Sequence, residues 1–162
     1  MNSPLPMPKE NDLTGLISAI ARNQEDQTLA RLEPHRWSVL GEYLQPSVLQ
    51  QGHLLIAQGA IDRKLYFLES GSLKVDLKIG AGLVQLAILA PGTVVGEGSF
   101  FSQRARSSSV TAYSDCKVWA LDPARFSLLS KNQPSVALAL AMVLGAILAT
   151  RMLDLSKRVV VT

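Results

Sequence analysis

The sequence predicts an α+β fold in which an antiparallel β-sandwich or jelly roll lies between helical ends. The first observation is the strict alternation of apolar and polar residues over Ser72–Ile79, which places four aliphatic side chains on one face of a strand. The second is the regular occurrence of glycines between short apolar runs, which is typical of turns between strands. The third is the helical periodicity that ends near Pro46 and returns after Asp122.

Helices are predicted on both sides of the strand region. Asp12 can cap a first helix that runs to about Arg22, with aliphatic residues repeating along one side. Asp122 can cap a short helix over Pro123–Lys131, because proline is favoured at the first helical position. The other predicted helices are Thr28–Leu32, His35–Leu44 and a long one from Pro134 to about Arg158.

The strand region is predicted from runs of alternating or β-branched residues that turn residues separate. The predicted strands are His53–Ala57, Lys64–Ser70, Ser72–Ile79, Val84–Leu89, Ser107–Tyr113 and Cys116–Asp122. The chain therefore divides into N-terminal helices over 12–46, a strand region over 47–122 and C-terminal helices over 123–162. Residues 1–11 contain three prolines and no apolar run, so we expect a flexible tail there.

Composition and charge narrow the possible functions. The chain has 162 residues, 48% of them hydrophobic and 18% charged, which is enough for one well-packed core. Its net charge of +3 comes without a basic run, so we expect no direct nucleic-acid binding. Cys116 is the single cysteine, which fits a reducing, cytoplasmic compartment. His35 and His53 lack a neighbouring carboxylate or cysteine pattern, so we predict no metal ligand or catalytic histidine. The sequence also contains no nucleophile–base pair, Gly-x-Ser-x-Gly motif or Walker-type loop, so we predict no catalytic residue, enzyme activity or cofactor.

The segment 96–110 carries residues suited to a nucleotide. Gly96 opens a short predicted helix, and the free N–H groups at a helix start suit a phosphate. Arg106 follows with a planar, permanently charged guanidinium that matches phosphate oxygens. Glu97 can accept hydrogen bonds from a ribose hydroxyl, and Ser107 adds a hydroxyl and its own N–H. A sugar acceptor and a phosphate-binding group on one loop indicate a nucleotide monophosphate ligand.

This segment resembles the phosphate-binding cassette of cyclic nucleotide-binding domains, as in the bacterial catabolite activator protein and the regulatory subunits of cyclic-nucleotide-dependent kinases. Gly96 and Glu97 match the Gly-Glu start of that cassette, and Ser99 takes its usual small position. Arg106 falls at the arginine position, and Ser107 matches the small or hydroxyl residue that follows it.

Three cassette positions depart from the common pattern. Val95 stands where an aromatic residue is common, Gly98 where an apolar one is common, and Ala105 where proline is common. Gly98 matters most, because a second glycine loosens the cassette helix. The resemblance covers roughly Leu40–Ser156 and includes the glycine pattern of the family's β-roll.

The resemblance implies an antiparallel β-roll or jelly roll over 47–122, with the cassette at 96–110, flanked by N-terminal helices and a long C-terminal helix. It implies that Arg106 binds the cyclic phosphate and that Glu97 holds the ribose 2′-hydroxyl. Adjacent strand side chains point in opposite directions, so only one of Ser107 and Ser108 can face the ligand, and the resemblance favours Ser107. The implied ligand-binding residues are Gly96, Glu97, Gly98, Ser99, Arg106, Ser107, Ser108, Thr150 and Arg151.

The base of the nucleotide is covered by the C-terminal helix in this family, at the level of Thr150 and Arg151. Thr150 could donate a hydrogen bond to a purine edge, or it could be a small residue at a helix interface. Arg151 could stack on the base. The serine at position 107 suits cAMP and cGMP alike, and analogy with bacterial members favours cAMP over cGMP.

The long apolar helix has two interpretations besides burial. The segment Ser135–Thr150 contains sixteen residues without a charge, whereas a membrane span usually needs about 20 apolar residues. We therefore expect no membrane insertion and favour a helix that joins two protomers as a homodimer. The residues that fall near one stripe of this helix are Leu140, Leu144, Leu148, Met152 and Leu155.

Together these observations predict a cytoplasmic sensor in which cyclic nucleotide shifts the helices from Pro123 onward and alters contact with a dimer or protein partner. Only Val159–Thr162 follow Arg158, so we expect no helix-turn-helix DNA-binding domain in this chain. Two alternatives stay open. One is a ligand-free β-roll that serves as a dimerisation or interaction module, and the other is the sensor fragment of a transcription regulator or channel.

Overall fold

A computed structural model of the protein describes residues 12–154 and 157–162. The helices are α1 (Thr14–Arg22), α2 (Pro34–Leu40), α3 (Glu97–Ser102), α4 (Pro123–Asn132) and α5 (Pro134–Leu153). Turns of 3₁₀ helix cover Leu29–Arg31, Gly41–Tyr43 and Arg158–Val160. The strands are β1 (Gln45–Leu49), β2 (Leu54–Ile56), β3 (Leu65–Ser70), β4 (Leu73–Ile79), β5 (Gly82–Leu89), β6 (Val94–Val95), β7 (Ser109–Ala112) and β8 (Cys116–Leu121).

The strands form two four-stranded antiparallel sheets. Their orders are β1-β8-β3-β6 and β2-β7-β4-β5. The two sheets enclose one apolar core, and the helices cover the outer face of the first sheet. The predicted fold class, an antiparallel β-roll flanked by helices and followed by a long helix, is confirmed.

Two cores share the first sheet because strand residues alternate between its faces. On β8, Cys116 and Val118 belong to the core between the sheets, whereas Trp119 and Leu121 belong to the core beneath the helices. In the core beneath the helices, the rings of Trp37 and Phe67 pack edge to face with their centroids 5.4 Å apart. The first sheet therefore packs against the helices with one face and against the second sheet with the other.

Three predicted helices differ from the observed ones. The predicted helix Thr28–Leu32 is a 3₁₀ turn over Leu29–Arg31. The predicted helix His35–Leu44 ends as an α-helix at Leu40 and continues as a 3₁₀ turn. The prediction that the last helix continues to about Arg158 is wrong, because α5 ends at Leu153 and Asp154 has extended backbone angles. The chain beyond it returns to the β-roll, where Val160 is buried in the core between the sheets.

The predicted dimer stripe is also wrong in part. Leu140 and Leu144 are fully buried in the helix–sheet core of their own chain, and Leu148 is only half-buried. Met152 is exposed, and Leu155 lies outside the described residues, as does the tail predicted over residues 1–11. Because α5 is apolar on nearly every side, the periodicity of its apolar residues could not show which side faces inward. By length and composition alone, α5 could cross a membrane, and 39% of its most apolar stretch is buried against the rest of the chain.

Two strands were not predicted. β1 carries Pro46, which disfavours a central strand, but β1 pairs only with β8 and so lies at a sheet edge where proline is tolerated. β6 is only two residues long, too short for alternation to indicate a strand. It pairs with Tyr66 and Phe67 of β3 and leads directly into Gly96.

Candidate functional site

The cassette begins with a glycine that no other residue can replace without strain. Gly96 has φ +92°, a left-handed conformation that favours glycine. A Cβ at this position would lie 2.6 Å from the backbone oxygen of Lys64 and 2.9 Å from Nη1 of Arg106. The left-handed backbone of Gly96 turns the chain from β6 into α3, and the two neighbouring groups leave no room for a side chain there.

Glu97 is fully buried and forms an ion pair with the long C-terminal helix. Nη1 of Arg151 on α5 donates to Oε1 of Glu97 at 2.6 Å, and its Nη2 donates to the backbone oxygen of Val94 at 3.0 Å. The other carboxylate oxygen, Oε2, is buried and has no hydrogen-bond partner among the described residues. A buried acceptor without a partner is costly, so this oxygen is suited to receive a donor from a ligand.

Arg106 is fully buried and held from several sides. Its Nη2 and Nε donate to the two carboxylate oxygens of Asp62 at 2.7 and 3.2 Å. Its Nη2 also donates to the backbone oxygen of Lys64 at 2.6 Å, and its Nη1 to that of Gly96 at 3.0 Å. Burial raises the pKa of Asp62, but the hydrogen bonds and charge of Arg106 outweigh it and hold this pKa below its usual value.

The structure brings most of the predicted site residues together. Gly98, Ser99 and Ser107 line a cleft of about 480 Å³ beside the cassette. Arg151 contacts the start of α3 through Glu97, and neither of these two residues lines that cleft. The remaining predicted residues lie differently. The side chain of Ser108 is buried, with an Oγ that has no partner among the described residues, and Thr150 is exposed on α5.

Sequence reasoning missed two parts of this site. Asp62 pairs with an arginine 44 positions later in the chain, and no motif links the two residues. Residues 160–162 lie against the cassette, which the expected straight helix to Arg158 would not allow. Both contacts depend on how the β-roll closes, so no local pattern could indicate them.

The comparisons with known proteins identify the family. The family model described as cyclic nucleotide-binding domain matches residues 46–133, which include all of β1 except Gln45, the strands β2–β8, the cassette and α4. The chain belongs to the cyclic nucleotide-binding domain family. The resemblance predicted from Gly96, Glu97 and Arg106 is thereby confirmed.

Two relatives have a longer chain than this one. The chain is 29% identical over 127 residues to the CRP-like cAMP-activated global transcriptional regulator of Mycobacterium tuberculosis, covering 74% of this chain and 57% of that protein. It is 30% identical over 115 residues to the cyclic AMP receptor protein of Thermus thermophilus, covering 70% of this chain and 53% of that protein. This chain thus spans little more than half the length of both relatives.

A solved structure matches the same fold. The cyclic nucleotide-binding domain from Methylobacillus flagellatus superposes with a TM-score of 0.73 at 19% identity, covering 84% of this chain and 78% of that one. This identity is low enough that the match speaks for the fold alone.

Proposed function

We propose that this domain is a cytoplasmic sensor of cyclic nucleotide, with cAMP favoured over cGMP and no catalytic activity. The observation that carries the proposal is the pair of buried charged side chains at the start of α3. Glu97, the first residue of α3, offers a free buried acceptor, and Arg106 offers donors beside Gly96. Membership in the cyclic nucleotide-binding domain family supports the same conclusion.

The phosphate would bind where Arg106 meets the start of α3. Nη1 of Arg106 and the backbone N–H groups of Gly96 and Ser99 all donate to oxygen atoms in this structure. Three donors that converge on one place are the arrangement that the exocyclic oxygens of a cyclic phosphate need. Asp62 would then act as a positioning residue, because its carboxylate fixes the plane of the Arg106 guanidinium.

The ribose would bind through Glu97, with Arg151 in a positioning role. Arg151 occupies Oε1 of Glu97 and leaves Oε2 for the 2′-hydroxyl. Since Arg151 belongs to α5, a ligand that pulls on Glu97 also acts on the long helix. This contact offers a physical route from the ligand to the C-terminal helices, provided that the ligand binds two helix arrangements with different affinity.

Recognition of the base stays a prediction. The Thr150 side chain points to solvent here, so a contact with the base requires α5 to move or turn. Arg151 would have to release Glu97 before it could stack on the base. The preference for cAMP rests on two relatives, one named as cAMP-activated and one as a cyclic AMP receptor protein, and not on a contact in this chain.

We also propose that α5 joins two copies of the chain. Its exposed side repeats at intervals of four and three residues, the spacing of a coiled-coil seam. Three large members, Leu138, Met142 and Met152, are 64%, 68% and 51% exposed. Gly145 and Ala149 are also exposed and lie between them, where their small size permits close approach of a second helix.

Calorimetric titration with cAMP and, separately, with cGMP tests the proposed sensor. Arg106→Ala should weaken binding roughly tenfold to more than a hundredfold, the effect of losing a charge-assisted phosphate contact of about 1.5–3 kcal/mol. Arg31→Ala is the control, because Arg31 is an exposed arginine that does not line the cleft beside the cassette. Since Arg106 is buried, circular dichroism must first show that Arg106→Ala is folded.

One observation favours a second candidate, a ligand-free interaction module. The three cassette donors already bind oxygens of the chain itself, so they are satisfied without a nucleotide. A folded, nucleotide-free protein that gives no heat with either nucleotide would support this module and rule out the sensor.

A further inference from the structure

The cassette contains an occupant from its own chain. Thr162 accepts hydrogen bonds from two backbone N–H groups: Gly96 donates to its Oγ1 at 3.0 Å, and Ser99 donates to its backbone oxygen at 3.1 Å. Nη1 of Arg106 donates to the same backbone oxygen at 3.3 Å. These are the three donors that the proposed function assigns to the cyclic phosphate, so Thr162 presents oxygens where the phosphate would bind.

Residues 160–162, here called the plug, are seated by more than this one residue. Val160 is only 8% exposed and packs into the core between the two sheets. The Ser107 hydroxyl donates to the backbone oxygen of Val161 at 2.9 Å. A Cβ on Gly98 would lie 2.9 Å from the carbonyl carbon of Thr162, so the unusual glycine in the cassette leaves room for the plug.

The plug also divides the space around the cassette. On one side lies the cleft of about 480 Å³, which Val161 and Thr162 help to line. On the other side lies a smaller cleft of about 170 Å³, lined by Arg151 and Val160 among others. A nucleotide that contacts both Arg106 and the free oxygen of Glu97 would have to take the place of the plug.

We propose that the plug is an internal ligand mimic that competes with cyclic nucleotide for the cassette. The inference rests on the proposed function where it concerns the nucleotide. Apparent affinity falls in proportion to the fraction of molecules whose site is open. Four hydrogen bonds and one buried valine act against the entropy of ordering a short segment, so release of the plug should tighten nucleotide binding about tenfold to a hundredfold.

The test compares two substitutions of the same chemistry. Val160→Asn puts an amide into the apolar seat and should release the plug, whereas Val48→Asn makes the same change at a position that is 81% exposed on β1. Thr162→Val is a second plug variant of nearly unchanged shape, which removes the acceptor of the Gly96 N–H. Two readouts are needed: calorimetric titration with cAMP, and hydrogen exchange of the Gly96 and Ser99 amides without nucleotide.

Tighter cAMP binding by Val160→Asn, at least tenfold relative to the unmodified chain, with no change for Val48→Asn, supports the competition. Equal affinity of all three proteins overturns it. If none of them binds cAMP, the proposed function fails and the exchange rates decide about the plug. Exchange of the two cassette amides that is at least tenfold faster in Val160→Asn than in Val48→Asn then supports occupancy, and equal rates overturn it. Thr162→Val decides in the same way if Val160→Asn does not fold.

Discussion

Removal of the arginine that links α5 to the cassette should destabilise the whole domain. Arg151→Met keeps the length and apolar body of the side chain but leaves the Glu97 carboxylate buried without a partner. The carboxylate is 0% exposed, and the substitution also removes the donor to the backbone oxygen of Val94. Breaking a buried ion pair from one side costs about 3–5 kcal/mol, and Glu97 has no water access that could reduce this cost.

The assay is urea unfolding at pH 7 and fixed protein concentration. For a chain of this size, a loss of about 3–5 kcal/mol corresponds to a melting temperature lower by roughly 6–20 °C. Adding Glu97→Gln to Arg151→Met removes the buried charge and should recover about 2 kcal/mol. Arg104→Met is the control, since Arg104 is exposed and should change stability by less than about 0.5 kcal/mol. A loss below about 1 kcal/mol in Arg151→Met, or no recovery in the double variant, would refute the reasoning.

Three further predictions concern other parts of the molecule. Gly96→Ala should cost at least about 2 kcal/mol more in urea unfolding than Gly52→Ala, because both glycines have positive φ but only Gly96 faces a backbone oxygen at 2.6 Å. Equal losses of stability in the two variants would show that the positive φ determines the cost and that the contact with the Lys64 oxygen does not add to it. Folding lowers the pKa of Asp62, so its ion pair stabilises the fold above the ordinary pKa of 3.8 and this stability is lost as pH falls through the lower folded value. Asp62→Asn should therefore flatten the acid side of a stability-versus-pH curve, and an unchanged curve would contradict this. Met142→Glu should shift sedimentation of the protein from dimer to monomer, whereas Leu128→Glu, at an exposed site on α4, should not. A dimer that survives Met142→Glu would rule out the α5 seam.

The sequence predicted the β-roll well because its strands are patterned by local rules. The alternating segment Ser72–Ile79 forms β4. The helix α4 begins at Pro123, as predicted, and the Asp122 side chain accepts a hydrogen bond from the Arg125 N–H at 2.8 Å. Which side of α5 is buried was not predictable in this way. Its residues are apolar on nearly every side, so no period distinguished the buried side from the exposed one.

The candidate site was predictable as a motif but not as a network. The spacing from Gly96 through Glu97 to Arg106 led to the correct family, because the backbone turn and the buried charges demand those residue types. The partners of these charges were not foreseen. Arg151 and Asp62 reach the cassette through tertiary packing over 54 and 44 positions, and such separations leave no local trace in a single sequence.

The cores on the two faces of the first sheet contain residues that can be followed by fluorescence or by chemical labelling. Both tryptophans of the chain, Trp37 and Trp119, are buried in the core beneath the helices, whereas the single cysteine, Cys116, is buried in the core between the sheets. Burial raises the pKa of the Cys116 thiol, so its reaction with a disulfide reagent at neutral pH should await an opening of that core. Tryptophan emission and thiol labelling can thus follow the two layers separately in one unlabelled protein. They would reveal whether the helical layer detaches before the β-roll opens or whether the domain melts as one cooperative unit.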